Sequence, residues 1–284
     1  MGGRSGSSPC EFNTCPTVSP AEGFNASDTR LNYVNGFPVD SVRYGIQTLS
    51  PNFFGSKPDL VVSGPNVGSK RPTNLRSTVL IAGTVGAATE AVLEGIPAVA
   101  FSASTASQDS YTTVTTAPTS TNSKAALIYS ALSVKLVNAL VASLAPFLPA
   151  GIALNVNYPS TSGCTSASAF KFVLTRINSD SSATDVQTCG TTRLPTESSV
   201  VAKSGCFASV GVFSASNKGD VNATMQGVVR RQTSCLPYSL VPVSGKFVPW
   251  NQCRIIDLPC ALAAGTRLRY LTIVSFSLYL LSDV

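Results

Sequence analysis

The residues with the most chemical promise lie in one segment, Ser63-Gly64-Pro65-Asn66-Val67-Gly68-Ser69. Its Ser and Asn side chains offer neutral oxygen donors, and its glycines let a ligand approach backbone N–H groups. A loop of this kind can meet a hard cation or a phosphate. An ordinary strand-to-helix connection uses the same residue types, so composition leaves both readings open. A second segment, Gly83-Thr84-Val85-Gly86-Ala87-Ala88, opens a helical pattern with small residues. An anion could sit at its N-terminus, and the same small residues suit close packing of a helix. Asp40, after Phe37-Pro38, reads as a helix cap. Asp59, after Lys57-Pro58, reads as the opening of a strand.

What the chain lacks narrows the chemistry. It has no His among its 284 residues. That removes Ser-His-Asp and Cys-His catalysis, His-ligated zinc and a phosphohistidine route. A bound metal would need oxygen or thiolate ligands, which points to a hard cation such as Mg²⁺, Mn²⁺ or Ca²⁺. No Asp-Asp or Asp-x-Asp pair occurs. The formal charge is +6, but Lys and Arg are scattered, with no basic stripe interleaved with aromatics. Polymeric nucleic acid is therefore not an expected partner.

The eight Cys (Cys10, Cys15, Cys164, Cys189, Cys206, Cys235, Cys253 and Cys260) form no CxxC pair. Their even number and wide spacing suit disulfides in an oxidising compartment. The sequons Asn25-Ala26-Ser27 and Asn222-Ala223-Thr224 agree with an extracellular protein. Met1 to Gly6 has no apolar stretch of the kind a signal peptide needs. The longest apolar run near the end, Tyr270 to Leu281, falls short of the ~20 residues that span a bilayer.

The elements that must position the candidate residues follow from the pattern. Leu60-Val61-Val62 is a short apolar run, Thr84 to Leu93 is helical, Gly95 stops it, and Pro97 to Phe101 is a second apolar run. That is a parallel βαβ unit, and ligands in open α/β sheets bind beyond the carboxyl ends of such strands. Around it the spacing predicts a helix over Asp40 to Leu49, an exposed loop or lid over 103–123, and a long helix from Lys124 to Leu148. Strands are expected at Ile152 to Val156, Phe170 to Ile177 and Cys206 to Phe213, with a polar arm over 178–200 and a weak helix from Asp220 to Arg231. The fold class is α/β: a Rossmann-like, mostly parallel sheet flanked by helices, with a β-rich C-terminal arm. Residues 1–30 read as a Ser/Gly/Pro-rich loop segment, 31–237 as one domain, and 238–284 as a hydrophobic tail with no clean period.

The central stretch resembles the SurE survival-protein family, metal-dependent phosphatases acting on nucleoside monophosphates and other phosphomonoesters, and in particular its secreted fungal acid-phosphatase-like branch. Gly36-Phe37-Pro38-Val39-Asp40-Ser41-Val42 is similar to the family's GTPxDCV segment, and Pro58-Asp59-Leu60-Val61-Val62-Ser63-Gly64-Pro65-Asn66 to PDLVVSGxN. Gly83-Thr84-Val85-Gly86-Ala87-Ala88, with Gly95-Ile96-Pro97-Ala98-Val99-Ala100, resembles SGTVxAAxEG…GIPAIA, and Leu154-Asn155-Val156-Asn157-Tyr158-Pro159 resembles LNVNxP.

The resemblance implies a divalent metal held by Ser5, from an RSG-like segment, and by Asn66. It implies a phosphomonoester bound near Ser63, Gly64, Asn74, Gly83 and Thr84, and a homodimer. Asn74 takes the place of the family's second loop Asn if Lys70 to Thr73 are an insertion. Ala82 stands where the family has Ser. The family's acidic NDDG segment, which completes its metal site, has no counterpart in this sequence. Neither does the first strand that carries it, which belongs to the middle of the family's sheet.

Overall fold

The computed structural model describes residues 20–68, 72, 74–104, 109–110, 112–143, 145–188, 190–234, 269–274 and 277–282. The chain opens with a hairpin, β1 (Glu22–Asn25) and β2 (Asp28–Val34), inside the segment expected to be loop. Its turn is built locally: Asn25 Oδ1 accepts the Ser27 N–H at 2.8 Å, and the Arg30 guanidinium forks onto Asp28 at 3.0 and 2.9 Å. Polar side chains hid these strands, because β2 is paired on both edges yet only partly covered.

Helix α1 (Pro38–Tyr44) starts at a proline, and Asp40 Oδ2 reaches back to the Phe37 N–H at 3.1 Å. Asp40 is thus the capping carboxylate its position suggested. A π turn, Gly45–Leu49, carries the chain into α2 (Ser50–Phe54). The wider turn accommodates Pro51, which has no N–H to give, so the helix runs past Leu49 and ends at Gly55 with φ +70°.

The βαβ unit follows as expected: β3 (Leu60–Gly68), a 3-10 turn (Arg76–Leu80), α3 (Gly83–Leu93) and β4 (Ala98–Ser104). Next come the short α4 (Thr113–Thr116) and the long α5 (Thr121–Val141), capped by Ser120 Oγ on the Ser123 N–H at 3.1 Å. Helix α5 stops at Val141, before the expected Leu148. It is long and apolar enough to cross a membrane, but Tyr129, Leu132, Leu136 and Leu140 on it are buried in the core. The chain continues through β5 (Ile152–Tyr158), β6 (Lys171–Thr175), α6 (Glu197–Val201), β7 (Phe207–Ser214), α7 (Ala223–Gln232), β8 (Arg269–Val274) and β9 (Ser277–Ser282).

Among the described residues these strands form one sheet in the order β1-β2-β9-β8-β3-β4-β5-β7-β6. The central four, β8, β3, β4 and β5, are parallel, and both flanks join antiparallel. The β-rich part after β5 continues this same sheet as β7 and β6. The expected tail enters it too. Strand β8 lies beside β3, pairing Leu60 with Tyr270 and Ser63 with Ile273. The joint is a fork: Arg269 Nε and Nη2 donate to Asp59 at 3.0 and 2.8 Å, and the Arg269 N–H also donates to Asp59 Oδ2 at 3.0 Å. So Asp59 anchors a partner strand as well as opening its own.

Two cores sandwich the sheet. On one face Leu60, Val62, Val99, Phe101, Leu154 and Val156 pack under α5. On the other Val61, Ala98, Ala100, Ala153 and Leu271 pack under α1 and α3. Tyr129 of α5 anchors two strand ends: its buried hydroxyl donates toward the carbonyls of Ser104 and, at 2.9 Å, Pro159. Burial pushes this phenol up to about 12. Its ring stacks on Tyr158, centroids 5.6 Å apart, and Tyr158 stacks on Phe101 at 5.9 Å.

A disulfide, Cys164–Cys206, ties the connection after β5 to the start of β7 across 42 residues. The other six cysteines lie outside the described residues. By loop-closure entropy this link contributes about 4 kcal/mol at most, so a Cys164→Ala/Cys206→Ala chain should lose about 2–4 kcal/mol in denaturant unfolding. Replacing Asp59 by Ala should cost about 1 kcal/mol, as expected of a half-exposed fork. Hydrogen exchange should then accelerate along β8 while β4 and β5 keep their protection.

Candidate functional site

The site begins with a fault in the pairing of β3 with β4. Ser63 pairs with Ala100, but the next pair is Asn66 with Ser102. Two residues, Gly64 and Pro65, stand against the single Phe101. This is a β-bulge. Gly64 makes it possible: its φ is +101°, and a Cβ there would lie 2.3 Å from the Phe101 carbonyl oxygen. Only glycine fits both the angle and the approach.

The bulge decides where Asn66 faces. Side chains alternate along a strand, so residues 63 and 66 would lie on opposite faces of a regular one. The extra residue restores the phase, and Asn66 joins Ser63 on the face covered by α1 and α3. From Asn66 the register runs on without a break: Ser102 on β4, Asn157 on β5, Ser209 on β7. The neighbouring row is Ser63, Ala100, Asn155, Gly211 and Thr175. One face near the carboxyl ends of β3, β4 and β5 is therefore lined with hydroxyls and amides.

This polar face is deeply buried. Ser102, Asn155, Asn157 and Ser209 are fully covered, and Ser63 and Thr175 nearly so. Ser102 Oγ donates to the Asn66 carbonyl at 3.1 Å. Both polar ends of Asn157, the Ser209 and Thr175 hydroxyls, and Glu197 Oε2 have no hydrogen-bond partner among the described residues. Each such atom costs about 1–3 kcal/mol when it stays unpaired, so their concentration at strand ends marks a polar site.

Glu197, the first residue of α6, reaches into the lower row. Its Oε1 accepts from Asn155 Nδ2 at 2.7 Å, and the same nitrogen donates to the Asn74 carbonyl at 2.7 Å. Burial raises the Glu197 carboxyl well above the usual range; the Asn155 hydrogen bond opposes this and the charge of Asp220 adds to it. Its surroundings thus disfavour the charged form of Glu197.

Helix α3 supplies the third side. Its first residue, Gly83, packs on Pro38 of α1, where a Cβ would come within 2.9 Å of the proline ring, and Gly86 packs on Val39. The small residues serve close helix–helix contact here, while the first-turn N–H groups of α3 keep no carbonyl partner within the helix. Thr84 is largely buried beside them.

Of the residues expected from sequence, Ser63, Gly64 and Asn66 form the bulge, Asn74 is fully buried and tied to Asn155, and Gly83 and Thr84 open α3. Ser5 lies outside the described residues. Sequence reading missed Ser102, Asn155, Asn157, Ser209 and Glu197 as members. Asn155 and Asn157 carried a signal, since they alternate with Leu154 and Val156 in a strand buried on both faces. Glu197 carried none and reads as a helix-start acid.

A divalent cation would be a family requirement, but the described donors at this site are neutral oxygens and one carboxyl, Glu197, whose charged form burial disfavours. No group of three or more His, Cys, Asp or Glu side chains suited to a metal occurs among the described residues. Hard cations need anionic oxygens, so these residues alone do not fit one.

Comparison with known proteins places the chain. The profile of the family described as Survival protein SurE matches residues 4–184, more than half of the sequence. An acid phosphatase of Yarrowia lipolytica is 30% identical over 237 residues, covering 72% of this chain and 63% of that protein. A 5'-nucleotidase SurE of Gloeobacter violaceus is 49% identical over 69 residues, covering 24% of this chain and 23% of that protein. The chain therefore spans less than two thirds of the length of either relative. Among solved structures, SurE protein from Aquifex aeolicus matches with a TM-score of 0.39 at 21% identity, over 69% of this chain and 73% of that one. With the matched profile extending across β3, α3, β4 and β5, this chain belongs to the SurE survival-protein family.

Proposed function

We propose that the crevice beyond β3, β4 and β5 receives the phosphoryl group of a small phosphate monoester, and that the whole protein hydrolyses such esters. The observation that carries this reading is the bulge at Gly64, which turns Asn66 onto the same polar face as Ser63 and Ser102, beside the N-terminus of α3. Donors on that face and the first-turn N–H groups of α3 suit a phosphate's oxygens. The relatives named acid phosphatase and 5'-nucleotidase support this choice of substrate class.

A divalent cation, when bound, would polarise the phosphate. Asn66 and Ser5 would supply neutral oxygens, and the anionic donors must come from beyond the described residues. The residues of this chain orient the ester: Asn66 and Thr84 by hydrogen bonding, Gly64 by letting the ligand approach the backbone. A secreted protein of the acid-phosphatase type suits the Cys164–Cys206 link and the exposed sequon Asn25. One observation favours a second reading, a non-catalytic phosphate binder: the described donors are all uncharged.

Calorimetric titration with inorganic phosphate, with and without Mn²⁺, alongside p-nitrophenyl phosphate turnover, separates these. Metal-stimulated turnover supports the hydrolase; phosphate binding without turnover supports the binder; neither result rejects both. Asn66→Ala should weaken phosphate binding about tenfold, the loss of one good polar contact, while the melting temperature moves little because the residue is only half-buried. Gly64→Ala should destabilise the fold by about 2 kcal/mol or more, since the new Cβ meets backbone in a left-handed conformation.

A further inference from the structure

We propose that Glu197 and Asn155 form a hydrogen-bond chain that fixes the backbone of Asn74, just ahead of the 3-10 turn that leads to the α3 side of the phosphate site. This rests on the phosphate-site reading above and assigns Glu197 a positioning role within it.

The geometry is specific. Asn155, Asn74 and Glu197 are all fully buried. The Asn155 amide nitrogen has two hydrogens, and both are used: one on the Asn74 carbonyl at 2.7 Å, the other on Glu197 Oε1 at 2.7 Å. Both partners are acceptors, so the NH₂ end must face them. Glu197 is itself held from two sides. Its N–H donates to the Arg176 carbonyl at 2.8 Å, at the end of β6, and Thr196 caps the helix it begins.

To reach Asn155 on β5, the carboxyl must cross β7. It does so over Gly211, where a Cβ would stand 2.5 Å from Oε1. The glycine is the opening through which the chain passes. The line runs from β6 through Glu197, over β7, to Asn155 on β5, and ends on Asn74. In sequence, Asn74 lies between the Ser63–Asn66 bulge and the 3-10 turn that leads to Gly83 and Thr84. Fixing its carbonyl holds the chain just ahead of the 3-10 turn that leads to the α3 N-terminus.

The electrostatics agree with an uncharged chain. Asp220 is the acidic group whose charge acts on Glu197. The Arg176 guanidinium is committed to Asp185 at 2.5 Å, to Asp220 at 3.6 Å and to Asp180 at 4.0 Å. From β5 and β7 the facing residues are Asn155, Ser209 and Gly211, none of them charged. Nothing among these compensates a carboxylate, so the charged form of Glu197 is disfavoured. Its folded-state value is raised above the unfolded one, so its stabilisation is fully present below the ordinary carboxyl range. It is lost as pH rises through the raised value. A Gln keeps the accepting Oε1 and cannot ionise.

The test compares wild type, Glu197→Gln and Glu197→Ala by inorganic phosphate titration, by unfolding across pH, and by exchange of the Asn155 side-chain NH₂ resonances. Glu197→Gln should bind phosphate within about twofold of wild type and lose the fall in stability at rising pH. Glu197→Ala should bind about tenfold more weakly, with fast exchange of the Asn155 NH₂. A folded Glu197→Ala that binds phosphate as wild type does, or a Glu197→Gln that behaves like the alanine variant, would overturn the chain. Should Glu197→Ala fail to fold, identical pH dependence of wild type and Glu197→Gln overturns it. Should wild type itself bind no phosphate, the phosphate reading fails by that result alone. The chain is then judged on Asn155: slow exchange in wild type and Glu197→Gln but not in Glu197→Ala supports it, and equal exchange overturns it.

Discussion

A single extra residue in β3 governs this structure. Gly64 sits against the Phe101 carbonyl at a backbone angle other residues avoid, and the pairing slips by one position between Ser63 and Asn66. The face on which Asn66 lies depends on that slip. In a regular strand Asn66 would face α5 and the aliphatic core beneath it. With the bulge it faces the row of Ser102, Asn157 and Ser209. The strain is local, and the surroundings hold it: β3 is paired on both sides, with β4 and with β8.

The two faces of the sheet divide the labour. The α5 face is almost wholly apolar and carries the stabilising burial, with Tyr129 fastening the ends of β4 and β5. That rigidity lets the opposite face keep buried amides and hydroxyls whose desolvation is unfavourable. The Glu197–Asn155–Asn74 chain joins two of these buried side chains to a backbone carbonyl, and it runs across three adjacent strands. On the same face Asn157, Ser209 and Thr175 keep buried polar atoms with no hydrogen-bond partner among the described residues.

The βαβ unit from Leu60 to Ser102 was legible because its signals are local: an apolar run, a Gly-rich turn, small helical residues, a Gly stop. The same local motifs carried the family resemblance and pointed to Ser63, Gly64, Asn66, Asn74, Gly83 and Thr84. What could not be read was long-range. Strand β8 pairs with β3 across roughly two hundred residues, and its Arg269–Asp59 fork leaves no trace in the periodicity of either segment. The β1–β2 hairpin is polar enough to pass for loop. Glu197 belongs to the site through Gly211, whose missing side chain matters only once β7 lies beside β5.

The most direct test of the central claim, that the bulge face is a phosphate site, is an amide-resolved NMR titration of the intact chain with inorganic phosphate. The account predicts shifts concentrated at Ser63, Gly64 and Asn66, at Asn74, at Gly83 and Thr84, and at Ser102, with β6 and α7 unmoved. Saturable shifts confined to another surface, or none in this set at saturating phosphate, would contradict it.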